Sequence, residues 1–475
     1  MITLYDVQVV YAQGAEAVHA YIVSLLQDFE SRVKVLEGRL NKDSTNSSKP
    51  PSSDGLAKKP NPQSLRGKSG KEPGAQFGHK GSSMKPSEKV DFTVPLSPTQ
   101  CQHCAASLEG VPTIEIEKRQ VHDIPDPKPL ITQFESHTKC CPNCKGLNRG
   151  TFPEHVKTNV QYGPNIKAAT VYLSVYHFIP YSRTCESVSE LLGVTLSKGS
   201  VRNWLKDGSY RLIDIEMCIK NALLKSKILH LDETGIRVNN ELRWMHITCN
   251  RWLTYYRMHA KRGKEALDAI GILANYKHTA IHDGWRMYAK FDCIHALCNA
   301  HHLRELKNAE EEYSQPWAKK MAGLLCEIKT AVEIAVAHNL LFMVPEQKEC
   351  FKAKYQAILD EGYTANPEPP PNKKRGRTKQ GQVRCLLLRL DIKQDQALAF
   401  MHDFNVPFDN NQAERDIRMM KTKQKVSGCF RSEEAAEDFC RIRGYTSTMR
   451  KQGHKILPLL QTLYKGKPVM PKLTL

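Results

Sequence analysis

A chain of 475 residues is too long for one ordinary domain; at roughly 150 residues each, about three are expected, and a sizeable core can be buried. With 40% hydrophobic, 8% aromatic and 25% charged residues it is neither wholly disordered nor fibrous, and no apolar run approaches the ~18 residues that argue a membrane span. Sixty-nine Lys plus Arg against fifty Asp plus Glu leave a net charge of +19, which favours a polyanionic partner, nucleic acid being the commonest.

The start, MITLYDVQVVYAQ, lacks a basic segment ahead of an apolar stretch, so a cytoplasmic protein without a membrane partner is expected. Residues 17–42 read as a helix. Ile22, Leu26, Phe29, Val33, Leu36 and Leu40 follow alternating spacings of four and three, a heptad seam suited to self-association, although a single amphipathic helix packed on its own body gives the same pattern. The first region, 1–45, is therefore a candidate coiled-coil helix. From 46 to 95 the periodicity stops, and NSSKPPSSDGLAKKPNPQSLRGKSGKEPGAQFGHKG reads as a flexible basic linker able to lie along phosphates.

Region 96–146 holds two CxxC knuckles, Cys101 with Cys104 and Cys141 with Cys144, separated by 36 residues. Each knuckle can present two thiolates to one ion, so the four cysteines are candidate ligands of one structural zinc. Reduced turns without metal are the plain alternative, and Cys140 can replace a neighbour. The long separation calls for an excursion, expected as a hairpin. The single cysteines elsewhere, such as Cys185, Cys249 and Cys326, read as small buried hydrophobes.

Helical patterns fill 147–225. Within them SVSELLGVTLSKGSVRNWL (187–205) reads as a helix-turn-helix: Leu191 and Leu192 end one helix, Gly193 supplies the turn and Ser197 caps a second. That second helix would offer Arg202 and Asn203 to DNA, although an ordinary αα-corner has the same signature. From 226 to 300 the pattern changes to strands, with KILHLDETG, ELRWMHITCN, WLTYYRM and TAIHDGW around one helical stretch near 264–274, which indicates an α/β domain. A helical insertion is expected over 301–405. It is interrupted by NPEPPPNKKRGRTKQGQ, whose Lys373, Lys374 and Arg375 are candidate DNA contacts. The segment FNVPFDNNQAERDIRMMKTKQKVSGCF begins at Phe404 and leads into the last region, 406–475, which returns to the α/β core.

Asp232 follows the apolar run ILHL, Asp283 follows TAIH, and Glu414 lies in the helical segment NNQAERDIR. Three carboxylates from two strand ends and a helix can hold two Mg²⁺ ions about 4 Å apart for phosphodiester chemistry. Each has a plainer explanation. Asp232 and Asp283 sit in sequences suited to turns, and Asn411 with Glu414 has the spacing of a capping box.

Taken in order, LNKDSTNSSKPPSSDG, HLDETGIRV, HDGWRMY, CNAHHLREL and PFDNNQAERDIRMMKTKQKVSGCFRS resemble the transposases of the insertion sequence 66 (IS66) family, over nearly the whole chain. The resemblance implies a multidomain α/β protein: a ribonuclease H-like catalytic core with a helical insertion, preceded by a leucine-zipper-like helix, a zinc-binding segment and a helix-turn-helix. It implies that Asp232, Asp283 and Glu414 are the catalytic acidic triad, using two Mg²⁺ or Mn²⁺ ions to cleave the ends of an element and join their 3′-hydroxyls to target DNA. Arg415, Arg418, Lys421, Lys423 and Lys425 beside that site are then expected at the DNA rather than on an idle solvated face. Cys298 and His301 belong to a block the family shares, with a metal, phosphate or structural role open. A homodimer or higher oligomer and accessory proteins of the same element are implied partners. A ribonuclease H-like nuclease that cuts without joining, or an inactive DNA-binding regulator, are the competing functions.

Overall fold

The computed structural model describes residues 4–40, 85–369 and 380–473; the basic run Lys373, Lys374 and Arg375, and most of the proposed linker, lie outside them. Helices α1 (Leu4–Tyr11) and α2 (Ala15–Leu40) open the chain. Two short strands, β1 (Thr138–Cys140) and β2 (Leu147–Arg149), form an antiparallel pair around the second CxxC. No helix or strand forms between residues 108 and 137, so the hairpin expected between the two knuckles is not formed.

Four helices follow, α3 (Pro164–Val171), α4 (Tyr181–Leu192), α5 (Lys198–Tyr210) and α6 (Ile213–Leu224), and lead into a five-stranded sheet. Its strands are β3 (Ile228–Val238), β4 (Glu241–Cys249), β5 (Thr254–His259), β6 (Thr279–His282) and β7 (Ile294–Leu297), with α7 (Lys264–Ile270) between β5 and β6. The order across the sheet is β5-β4-β3-β6-β7. The first three strands are an antiparallel meander, and β3, β6 and β7 are parallel. Asn239 and Asn240, at φ 48° and 64°, make the β3–β4 loop, as a two-residue hairpin with two left-handed residues requires.

An insertion of six helices comes next: α8 (Asn299–Tyr313), α9 (Pro316–Ala337), α10 (Pro345–Ala365), α11 (Gln382–Ile392), α12 (Gln394–Ala397) and α13 (Ala399–His402). It has its own core, around Leu306, Trp317, Leu325, Tyr355 and Leu387. The chain then returns to the sheet with α14 (Asn411–Ser427), α15 (Glu433–Lys451) and α16 (Ile456–Tyr464). The main core runs from Ala168 to Tyr464 and joins α3–α6, the sheet and α14–α16. At Gly444 a Cβ would come within 3.2 Å of the Thr254 carbonyl, so the glycine permits α15 to lie close against β5. Among the described residues no helix is long and apolar enough to cross a membrane.

Two sequence expectations are corrected here. β7 falls in a stretch read only as the end of the core. Asp232 is not at a strand end but inside β3, because antiparallel pairing with β4 carries that strand eight residues beyond its last parallel partner, His230.

Candidate active site

Parallel pairing between β3 and β6 ends at His230 opposite Ile281. Two residues further on stand Asp232, still inside β3, and Asp283, exposed in the turn just past β6 with its Oδ1 accepting from the Trp285 N–H at 2.8 Å. The two aspartates thus occupy equivalent positions just where the strands part. Glu414 comes from the first turn of α14, which packs on β3. Its carboxylate does not cap the helix: the N-cap is Asn410, one residue earlier than the capping-box spacing assumes. The Asn410 amide is itself occupied, 2.9 Å from His230 Nδ1 and donating to the Leu231 carbonyl at 2.8 Å.

Asp232 feels the carboxylates around it. Burial, followed by the charges of Glu233 and Asp283 and, more weakly, Glu414, raises the Asp232 pKa well above the carboxylate range. Glu414 is buried. Its Oε2 accepts from Arg418 Nη2 at 2.6 Å, while Oε1 has no hydrogen-bond donor, with Arg304 Nη2 at 3.5 Å and His301 Nδ1 at 3.7 Å. A concentration of negative charge with an undonated, buried carboxylate oxygen suits hard divalent cations. Among the described residues the one group of ligand atoms lying within 4.8 Å of one another is Cys298, His301 and Glu414. The ligand atoms of Asp232, Asp283 and Glu414 do not all lie within 4.8 Å of one another. Burial and the Arg304 charge hold His301 neutral, and burial pushes the Cys298 thiol up to about 12.

A staple beside Asp232, joining a buried Glu233 carboxylate to a partly exposed Arg262, was not legible in the sequence. Arg262 donates to Glu233 Oε1 from Nε at 3.0 Å and Nη2 at 2.6 Å, and Tyr288 Oη donates to Oε2. The guanidinium also lies 4.9 Å from the Trp244 ring and 4.4 Å from Trp285. Glu233 is thereby committed to fixing the loop after Asp283 against β3. Arg262 is 29 residues from Glu233, and no local pattern joins them.

The helix-turn-helix geometry follows the expectation closely. Gly193 caps α4 at φ 64°, and the Ser197 side chain accepts from the Ser200 N–H to start α5. Arg202, expected at DNA, instead bonds Asp438 on α15 at 2.6 Å and ties α5 to the core. Asn203 is exposed. On α14, Arg415 is exposed, and Arg418 is exposed but paired with Glu414. Lys421 and Lys423 turn inward, donating to the carbonyls of Gly235 and Gly428, and burial pulls the Lys423 pKa down to about 8. The basic run is therefore divided by the packing of α14 on β3 rather than forming one face.

The two CxxC segments fold alike. In each, the N–H four residues after the first cysteine donates to that cysteine's carbonyl at 2.9 Å, with Ala105 and Lys145 left-handed at φ 57° and 59°. Hydrogen bonds from the backbone of His103 and Cys104 lower the Cys101 pKa, and those of Cys144 and Asn143 lower that of Cys141. Such turns suit thiolate ligation, but the four sulfurs are not gathered around one point here.

Compared with family models, residues 159–438 match the one described as the transposase IS66 family, and residues 6–85 match a family of unknown function (DUF6444). No curated protein matches the chain.

Proposed function

Because the chain belongs to the IS66 family of transposases, we propose that it cuts DNA at the ends of a mobile element and joins the freed 3′-hydroxyls to target DNA. The observation that carries this reading is the equivalent placement of Asp232 and Asp283 where β3 and β6 part, with Glu414 close enough to perturb Asp232. The sheet order β5-β4-β3-β6-β7, antiparallel then parallel, with an acidic helix on β3, supports a ribonuclease H-like core.

Asp232, Asp283 and Glu414 would hold two Mg²⁺ or Mn²⁺ ions, which supply activation of the attacking oxygen and stabilisation of the leaving one. Water is the first nucleophile: a phosphorus–oxygen bond to water forms, the bond to the 3′-oxygen breaks, and a 3′-hydroxyl is freed. That hydroxyl then attacks a target phosphodiester, forming one phosphorus–oxygen bond as another breaks, so no covalent protein–DNA link is needed. Arg304 and Arg418 orient Glu414, and the Arg262–Glu233–Tyr288 staple keeps the segment after Asp283 against β3. The CxxC pairs are proposed to take one structural zinc, the exposed seam of α2 to join copies, and α5 with Arg415 to contact DNA.

Incubation of the full chain with labelled element ends and Mg²⁺ tests the reading. Cleaved and joined products are expected. Cleavage without joining would make the chain a nuclease, and binding without cleavage would make it a regulator.

A further inference from the structure

A groove of ≈ 1210 Å³ opens between the start of β3, the β4–β5 turn and the first turn of α14. It exceeds the roughly 300–1,000 Å³ of common small-molecule sites. Lys225, Lys227, Arg251 and Arg415 bring four exposed cations to its walls against one carboxylate, Asp409. That carboxylate is already engaged, accepting from the Asn411 N–H at 2.9 Å and its amide at 2.6 Å. Among the described residues none of the four cations has a carboxylate partner. A compact anion with several charges along its length is what such a lining attracts.

The groove also has a flat aromatic surface. Trp252 is half-buried in its wall, with the Arg251 guanidinium 4.9 Å from the indole ring. A base can stack on such a pair, since both the indole and the guanidinium offer a planar face. Duplex DNA keeps its bases inside the stack and cannot use a platform recessed in a concave wall, so the occupant is unpaired. His230 lines the groove and stands two residues before Asp232 on the same face of β3, and Arg415 lines it one residue after Glu414 on α14, although none of the three acids itself lines it.

We propose that this groove binds a short unpaired stretch of DNA next to the bond to be cut, one base stacked on Arg251–Trp252 and the phosphates on Lys225, Lys227 and Arg415. It rests on the reading that the chain acts on DNA, but needs neither metal nor cleavage to be tested.

Fluorescence anisotropy of the full chain, without divalent ions, would compare an oligothymidine of about eight nucleotides with a duplex. Lys225→Glu with Lys227→Glu, both exposed and outside the core, should weaken single-strand binding about tenfold or more and leave duplex binding within about twofold. Trp252→Ala should do the same, and Trp252→Phe should restore it. Unchanged single-strand affinity in the Lys pair, or equal losses on both DNAs, overturns the groove. A chain that binds oligothymidine there yet never cuts upholds the groove and sinks the catalytic reading; cutting with no groove-dependent binding does the opposite.

Discussion

At Asp232, burial and the neighbouring charges of Glu233, Asp283 and Glu414 all push in one direction, towards the protonated acid. A carboxyl group whose pKa is raised on folding destabilises the fold above that raised value, and the cost is relieved as pH falls through it towards the ordinary value of 3.8. Asp232→Asn should therefore raise the melting temperature of metal-free protein at neutral pH, by ~2–4 °C for each kcal/mol relieved, and flatten its pH dependence on the acid side. The same variant should lose cleavage, and Mg²⁺ should stabilise wild type but not the variant. A variant that melts lower at neutral pH while wild type ignores Mg²⁺ would remove the strained-carboxylate account. Glu414→Gln addresses the third acid. Its ion pair with Arg418, whose side chain is 53% exposed, contributes little to stability, and Asn410, not Glu414, stands at the helix cap. The Gln variant should keep its melting temperature and DNA affinity and lose cleavage by several orders of magnitude; near-wild-type cleavage in Mg²⁺ would show that Glu414 is not the third ligand.

Helix α2 leaves Ile22, Leu26, Phe29 and Leu36 between 49% and 65% exposed, so among the described residues these four are not packed into the chain's own core. Covering it with a second copy removes apolar area from water at ~25 cal/mol per Å². Leu26→Lys with Leu36→Lys should shift the mass in light scattering towards monomer without changing the melting of the core; an unchanged mass refutes the zipper. The two CxxC turns make a parallel case, with one equivalent of zinc expected in elemental analysis of freshly purified protein and less than about half an equivalent sinking the four-thiolate site. What was legible in the sequence follows the range of the signal. Gly193 and Ser197 act within three or four residues, so the corner they make could be read directly. β7, four residues long, is a strand only through its pairing with β6, and a short apolar run does not declare its partner. Asp232, Asp283 and Glu414 could be named from their flanking motifs, but the mid-strand seat of Asp232, the inward turn of Lys421 and Lys423, and the Arg202–Asp438 tie all depend on contacts distant in sequence. The Asn239-Asn240 pair did carry a local hairpin signal, and it explains why β3 runs so far past the aspartate.

Two cores rather than one organise the molecule between residues 159 and 473. The main core spans α3–α6, the sheet and α14–α16, and the insertion closes around its own cluster of Trp317, Leu325, Tyr355 and Leu387. Between them lies a small apolar contact of Ile281, Ala296 and Val406. Elements with separate cores and a thin shared contact unfold as separate cooperative units. The tryptophans permit a direct measurement: of five in the chain, Trp317 is buried in the insertion, while Trp204, Trp252 and Trp285 belong to the main core and Trp244 lies on β4. A variant keeping only Trp317, the others changed to Phe, should show a thermal transition distinct from that of a variant in which only Trp317 is changed. Helix α8 belongs to the insertion yet places His301 and Arg304 beside Glu414. Cleavage should therefore disappear with the Trp317 transition, even where far-ultraviolet circular dichroism still reports an intact sheet. Coincident transitions from both variants, with activity following the same curve, would mean that the insertion and the sheet form a single unit and that the contact at Ile281 and Val406 is strong enough to couple them.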